Sequence, residues 1–231
     1  MSEETRSAGS GRLMTGAAWA VLLLALWLWG KDLTDGDFGV PVFGDVSRSA
    51  QTADGRPLPP AHAPLPDAAG PRAAPVLMEI EQLGVRAQVV RRGLDADGAI
   101  DPPPLSRAEN VGWYGAGPAP GAAGAALLVG HVDTESTRAV FYGLSTVEPG
   151  TQVRVTRADG TTAEFTVESV DVLQRRNFDA AKAYQARDDG RAELRIITCG
   201  GSFDREQRAY TANVVVSAYL TGTGSAPGGA A

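Results

Sequence analysis

The sequence predicts a mainly β domain, a closed or nearly closed barrel, behind an apolar N-terminal segment and a proline-rich linker. Three observations predict it. Short runs rich in Val, Leu, Ile and Thr recur from residue 76 to 220, separated by Gly and Asp-Gly turn signals. Before them, 18 residues without a charge run from Leu13 to Gly30. Between these two regions, eight of the 15 prolines fall from Pro41 to Pro75.

The apolar run comes first. Spanning a bilayer core takes about 20 helical residues, so Leu13–Gly30 is just long enough for a transmembrane helix. Trp27 and Trp29 near its end suit a membrane–water interface. A cleaved signal peptide would need a small-residue site after the run, and Trp27-Leu28-Trp29-Gly30-Lys31-Asp32 offers none. Arg6 and Arg12 precede the run, while Asp32, Asp35 and Asp37 follow Lys31. This bias predicts residues 1–12 in the cytoplasm and a single-pass cell-membrane protein whose main domain lies outside.

Residues 31–75 read as the linker. Proline lacks a backbone donor and restricts the residue before it, so helix and sheet give way to a semi-extended spacer. His62 lies there and is expected to be solvated and idle.

From residue 76 the texture is that of strands: Val76–Leu83, Val85–Val90, Ala125–Val129, Gln152–Arg157, Ala163–Val172, Glu193–Thr198 and Asn213–Leu220. The connection Ala158-Asp159-Gly160-Thr161 predicts a hairpin with an Asp-Gly turn. Arg138–Ser145 and Phe178–Gln185 have room for one or two helical turns each. The Gly/Ala-rich tail, residues 221–231, is expected to be disordered.

Composition narrows the chemistry. In 231 residues with net charge -6, acidic and basic residues are interspersed, with no basic block for nucleic acid. One cysteine, Cys199, excludes an internal disulfide. With only His62 and His131 beside it, a structural zinc site lacks ligands, and neither a metal nor a cofactor is expected.

Two strands end in an abrupt polar stop beside glycine: Leu127-Leu128-Val129-Gly130-His131-Val132-Asp133 and Arg195-Ile196-Ile197-Thr198-Cys199-Gly200-Gly201. Both stops place a reactive type of side chain at a barrel rim. Taken singly, a cysteine after such a strand is more often a small buried hydrophobe, and a histidine there a structural hydrogen-bonder. A thiol outside the cytoplasm is exposed to oxidation, however, and this chain carries one at an expected rim. Arg205 and Arg208 follow in the segment leading to the strand Asn213–Leu220. Either can be a solvated loop charge or can return to the cysteine.

Thr198-Cys199 after a strand, an arginine, a Val-rich strand and Gly130-His131 upstream resemble a sortase. More narrowly, the chain resembles the class F sortases of Gram-positive bacteria. The motifs are Gly112-Trp113-Tyr114, Leu128-Val129-Gly130-His131-Val132-Asp133-Thr134, Phe141-Tyr142-Gly143-Leu144, Ile197-Thr198-Cys199-Gly200-Gly201 with Phe203-Asp204, and Tyr210 with Asn213-Val214-Val215-Val216. The resemblance covers residues 76–220 and implies a closed eight-stranded β-barrel with short helices.

It also implies a cysteine transpeptidase. Cys199 would attack a peptide carbonyl in an LPXTG-like sorting signal as thiolate. His131 would carry the proton. Arg208, with Arg205 second, would bind substrate or the oxyanion. Thr198 would orient the cysteine or contact substrate, and Asp133 would orient His131 or cap the following turn. The implied partners are surface proteins bearing the signal and an amine acceptor from a cell-wall precursor or pilin. The enzyme is expected to be a monomer. Two alternatives compete: an extracytoplasmic cysteine peptidase or hydrolase, and a surface binding module that has lost activity. Against the first, papain-like enzymes place the cysteine before the histidine, whereas His131 precedes Cys199 here. L,D-transpeptidases use a second histidine that this domain lacks. The second is discriminated by the reactivity of the thiol.

Overall fold

The computed structural model describes residues 51–52, 54–65 and 70–225. The expected cytoplasmic segment, anchor and first part of the linker lie outside the described residues. Among those described, no helix is long and apolar enough to cross a membrane.

Eight strands form a closed barrel: β1 (Pro75–Ile80), β2 (Val85–Arg92), β3 (Val111–Tyr114), β4 (Gly124–Val129), β5 (Gln152–Arg157), β6 (Thr161–Gln174), β7 (Ala192–Asp204) and β8 (Ala209–Ser225). Their order around the barrel is β1-β2-β3-β4-β7-β8-β6-β5, closed by β5 on β1. The β2–β3 and β4–β7 pairs are parallel. The β4–β7 crossover carries β5, β6 and one short helix, α1 (Ala180–Tyr184), capped by the Asp179 carboxylate accepting from the Lys182 amide at 3.0 Å. The predicted Asp-Gly hairpin joins β5 to β6, with Gly160 at φ 82°. β3 is four residues long and was not read as a strand in the sequence. The expected helical turns of Arg138–Ser145 reduce to a 3-10 turn, Leu144–Thr146.

Met78, Leu128, Phe165, Leu194, Ile196 and Val216 fill the barrel and are fully buried. Each such side chain contributes about 1.5–3 kcal/mol by leaving water. β7 is buried on both faces from Ala192 to Thr198. Its outer face is covered by the crossover, where Phe178, Ala183 and Tyr184 pack with Val129, Ile197 and Val215. A fully buried ion pair holds that crossover: Arg195 Nη2 donates to Glu193 Oε2 at 2.7 Å and to the Gln185 carbonyl at 2.9 Å. Glu193 also accepts from the Arg187 and Asp188 amides. Its charge is thus fully hydrogen-bonded, as burial requires.

Three expectations need correction. The strand bearing Cys199 does not stop there; β7 continues to Asp204, and β8 begins at Ala209 rather than Asn213. The two pair beyond the cysteine, with a register shift between Gly200 and Phe203. The tail is not wholly irregular, because β8 runs to Ser225 and pairs with Thr161. Residues 54–65 of the linker are not a free spacer. The His62 amide donates to the Leu220 carbonyl and the Leu65 amide to that of Gly121, both at 2.8 Å. Tyr219 Oη donates to the Pro59 carbonyl at 2.6 Å, and Leu65 packs on the core. The proline-rich chain docks through one of its carbonyls and two of its amides, those of His62 and Leu65. The His62 side chain is exposed, as expected.

Candidate active site

Where β4 and β7 reach the same end of the barrel, a cleft of about 710 Å³ opens. Cys199, His131, Asp133, Arg208, Phe203 and Tyr210 all line it. The parallel β4–β7 register aligns Val129 with Ile197, so the next residues of both strands emerge side by side. The Gly130 amide donates to the Ile197 carbonyl at 3.2 Å. Thr198 Oγ1 returns a bond to the Gly130 carbonyl at 2.8 Å and is buried. The threonine therefore acts behind the cleft, fixing the residue before His131 to the residue before Cys199.

Gly130 is required by space. A Cβ there would lie 2.6 Å from Phe141 Cδ2 and 2.8 Å from Val140 Cγ1. His131 is half-buried, and its Nε2 lies 2.6 Å from the Pro103 carbonyl. A carbonyl only accepts, so this arrangement puts the proton on Nε2 and leaves Nδ1 as the acceptor of the neutral ring.

Cys199 is solvent-accessible. The cleft walls still remove enough water from the thiol to push its pKa above the ordinary value. The Arg175 charge opposes that rise, and Asp133 adds to it. The resting group is therefore a thiol, and the reacting thiolate must be generated in place.

Asp133 lines the same cleft as His131 and Cys199. Its carboxylate accepts from the Tyr210 phenol. Thr134 caps the following turn, its Oγ1 accepting from the Ser136 and Thr137 amides. The two arginines separate. Both lie in the β7–β8 hairpin turn, but Arg208 lines the cleft and Arg205 is not among its lining residues. Arg208 has φ 50°, a left-handed conformation uncommon outside glycine. Asp204 accepts from the Glu206 and Gln207 amides to build the turn that leads into it. Arg208 Nη2 lies 3.7 Å from Glu135 Oε1, and both side chains are largely in solvent.

One charged group near this site was missed in the sequence, and one lining residue was given no role there. Arg175 follows β6, a strand remote in sequence from both motifs, and no local pattern marks it. Tyr210 was legible only as part of a motif. Among the described residues, no cluster of His, Cys, Asp and Glu could hold a metal.

Residues 78–221 match the family model described as Sortase domain. No curated protein matches. Among solved structures, the sortase D5 transpeptidase of Clostridium perfringens is 20% identical with a TM-score of 0.47, over 64% of this chain and 79% of that one. A lid mutant of sortase A from Corynebacterium diphtheriae is 18% identical with a TM-score of 0.48, over 67% and 73%. Sortase A of Listeria monocytogenes is 16% identical with a TM-score of 0.49, over 66% and 90%.

Proposed function

Because this chain belongs to the sortase family, we propose that it is a class F-like cysteine transpeptidase of the cell membrane, with its catalytic domain outside the cytoplasm. It cleaves an LPXTG-like sorting signal and transfers the acyl group to an amine of a cell-wall precursor or pilin. The observation that carries this reading is the convergence of Cys199, His131 and Arg208 on one cleft at one end of the barrel. The class F assignment is supported by the five motifs named above, and the membrane location by the apolar run Leu13–Gly30.

The chemistry follows from the groups present. The Cys199 thiol first passes its proton to His131 Nδ1, and the resulting thiolate attacks the carbonyl carbon of the scissile peptide bond, forming a C–S bond and an oxyanion. The C–N bond breaks, and His131 gives its proton to the departing amine. The acyl group remains as a thioester. An incoming amine attacks it, His131 takes the amine's proton, and the C–S bond breaks to release the thiolate. Arg208 faces the cleft with five donors in a fixed fork, suited to a carbonyl or oxyanion.

The test is mass spectrometry of the protein with a library of LPXTG-like peptides and an amine acceptor. The expected result is a thioacyl adduct on Cys199 and a transpeptidation product. Cys199→Ala should lose both, since no other thiol exists. His131→Ala should fold and lose turnover. If no peptide acylates Cys199, the reading fails.

A further inference from the structure

Arg205 and Arg208 stand close to Cys199 in sequence. The barrel brings in an arginine that does not. Cys199 pairs with Asn213 on β8, and Asn213 pairs with Leu173 on β6. Strand alternation puts the three on one face. It is the outer face, since Leu173 packs with Val215 and Ile197 in the cluster outside the barrel. Arg175 lies two residues past Leu173, in the 3-10 turn Arg175–Asn177.

From there the Arg175 side chain reaches back over β8, where Nη1 donates to the Tyr210 carbonyl at 3.4 Å. Tyr210 lines the Cys199 cleft and also a second hollow, of about 440 Å³, that is lined by Arg175. Tyr210 is thus shared between the cleft and the hollow that holds Arg175, and β8 alone separates the arginine's strand from that of the thiol. Among the described residues, Arg175 forms no ion pair, whereas Arg208 stands opposite Glu135. The β8 residues nearest Cys199, Ala212, Asn213 and Val214, carry no charge.

We propose that Arg175 is the cation that holds the Cys199 thiolate, supplied from the end of β6 across β8 rather than from the β7–β8 hairpin. This rests on the transpeptidase reading and divides the work of its two cations. Arg175 stabilises the thiolate as it forms, and Arg208 is left to meet substrate at the outer rim. The charged and titratable groups around the thiol are His131, Asp133 and Glu135 from the β4–β5 connection, Tyr210 from β8, Arg208 from the hairpin and, from the end of β6, Arg175. Asp133 opposes the thiolate and is already engaged by Tyr210, so Arg175 is the counter-charge not committed to an acid.

The test is the rate of Cys199 alkylation by iodoacetamide across pH, on the full-length protein. The reagent is uncharged, so the arginine does not attract it, and Cys199 is the sole thiol. Arg175→Ala should move the midpoint of the profile upward and slow alkylation at neutral pH several-fold, approaching about tenfold where the midpoint rises by a full pH unit. Arg175→Lys should restore most of the rate, and Arg205→Ala, in the same hairpin as Arg208 but outside the cleft lining, should leave the profile unchanged. If Arg175→Ala proves unfolded by circular dichroism, Arg175→Gln replaces it. An unmoved profile in the folded variant, or a displaced one in Arg205→Ala instead, overturns the proposal. Alkylation needs no peptide, so a displaced profile without any thioacyl adduct sinks the transpeptidase reading and leaves Arg175 in place. An adduct with an unmoved profile does the reverse.

Discussion

The Tyr210 phenol donates to the Asp133 carboxylate, tying the strand that leaves the β7–β8 hairpin to the loop that carries His131. The ring is fixed from its other side by Phe203, edge-on at 5.3 Å between centroids. One side chain thus joins two walls of the cleft. It also keeps the carboxylate engaged where a free one would repel the thiolate.

Because the phenol donates to a carboxylate, its pKa is pushed up to about 12. A group raised on folding contributes stability that is complete below its unfolded pKa, near 10, and is lost as pH rises through its folded value. The wild type should therefore lose stability between about pH 10 and 12 more steeply than Tyr210→Phe, as read by denaturant midpoints across that range. At neutral pH the variant should be less stable by about 1 kcal/mol, the ordinary worth of such a bond. Parallel alkaline profiles would contradict the bond.

Thr198→Val keeps the shape and removes the hydroxyl that bonds the Gly130 carbonyl. The expected loss is about 1–2 kcal/mol in stability. Transpeptidation should fall more than stability does, because the bond fixes the two strand ends bearing His131 and Cys199. Thr198→Ser should recover both. Thermal melting and steady-state rates on the same samples decide it; a variant with unchanged rate would return Thr198 to a purely structural role.

Arg208 lines the cleft and Arg205 does not. Arg208→Ala should lower kcat/KM by at least about tenfold, which corresponds to about 1.4 kcal/mol of transition-state stabilisation. Arg205→Ala should remain near wild type. The reversed order in a peptide-cleavage assay would move the role to Arg205.

The docked linker predicts that a chain beginning at residue 70 folds but is less stable than one beginning at residue 50. Three hydrogen bonds and the Leu65 contact are lost, a combined effect of about 2–5 kcal/mol. Equal denaturation midpoints would show that the contacts contribute nothing.

The barrel's strands were legible wherever apolar residues came in runs bounded by turn signals, as in Gln152–Arg157 with its Asp-Gly turn. Val111–Tyr114 was not, since four residues buried partly through Gly112 carry no periodic pattern. The extension of β7 past Cys199 was hidden for a related reason. Gly200, Gly201 and Ser202 read as a turn, and their pairing depends on β8 rather than on their own preferences. Cys199 and His131 could be found because each stands beside glycine after an apolar strand. Arg175 could not, because only register across three strands brings it beside Tyr210. The docking of residues 54–65 was equally invisible, since a proline-rich stretch has the same composition whether it is free or bound.

That docking fixes where a load enters the fold. Tension applied upstream of residue 51 is taken up at Pro59, His62 and Leu65, and so at Tyr219, Leu220 and Gly121. Leu220 lies about 23 Å along β8 from Asn213, the partner of Cys199, at the usual rise per residue. The strand ends that bear the thiol and the imidazole lie off this load path. Tugging on the chain would strain the floor of the barrel while the reacting atoms keep their spacing.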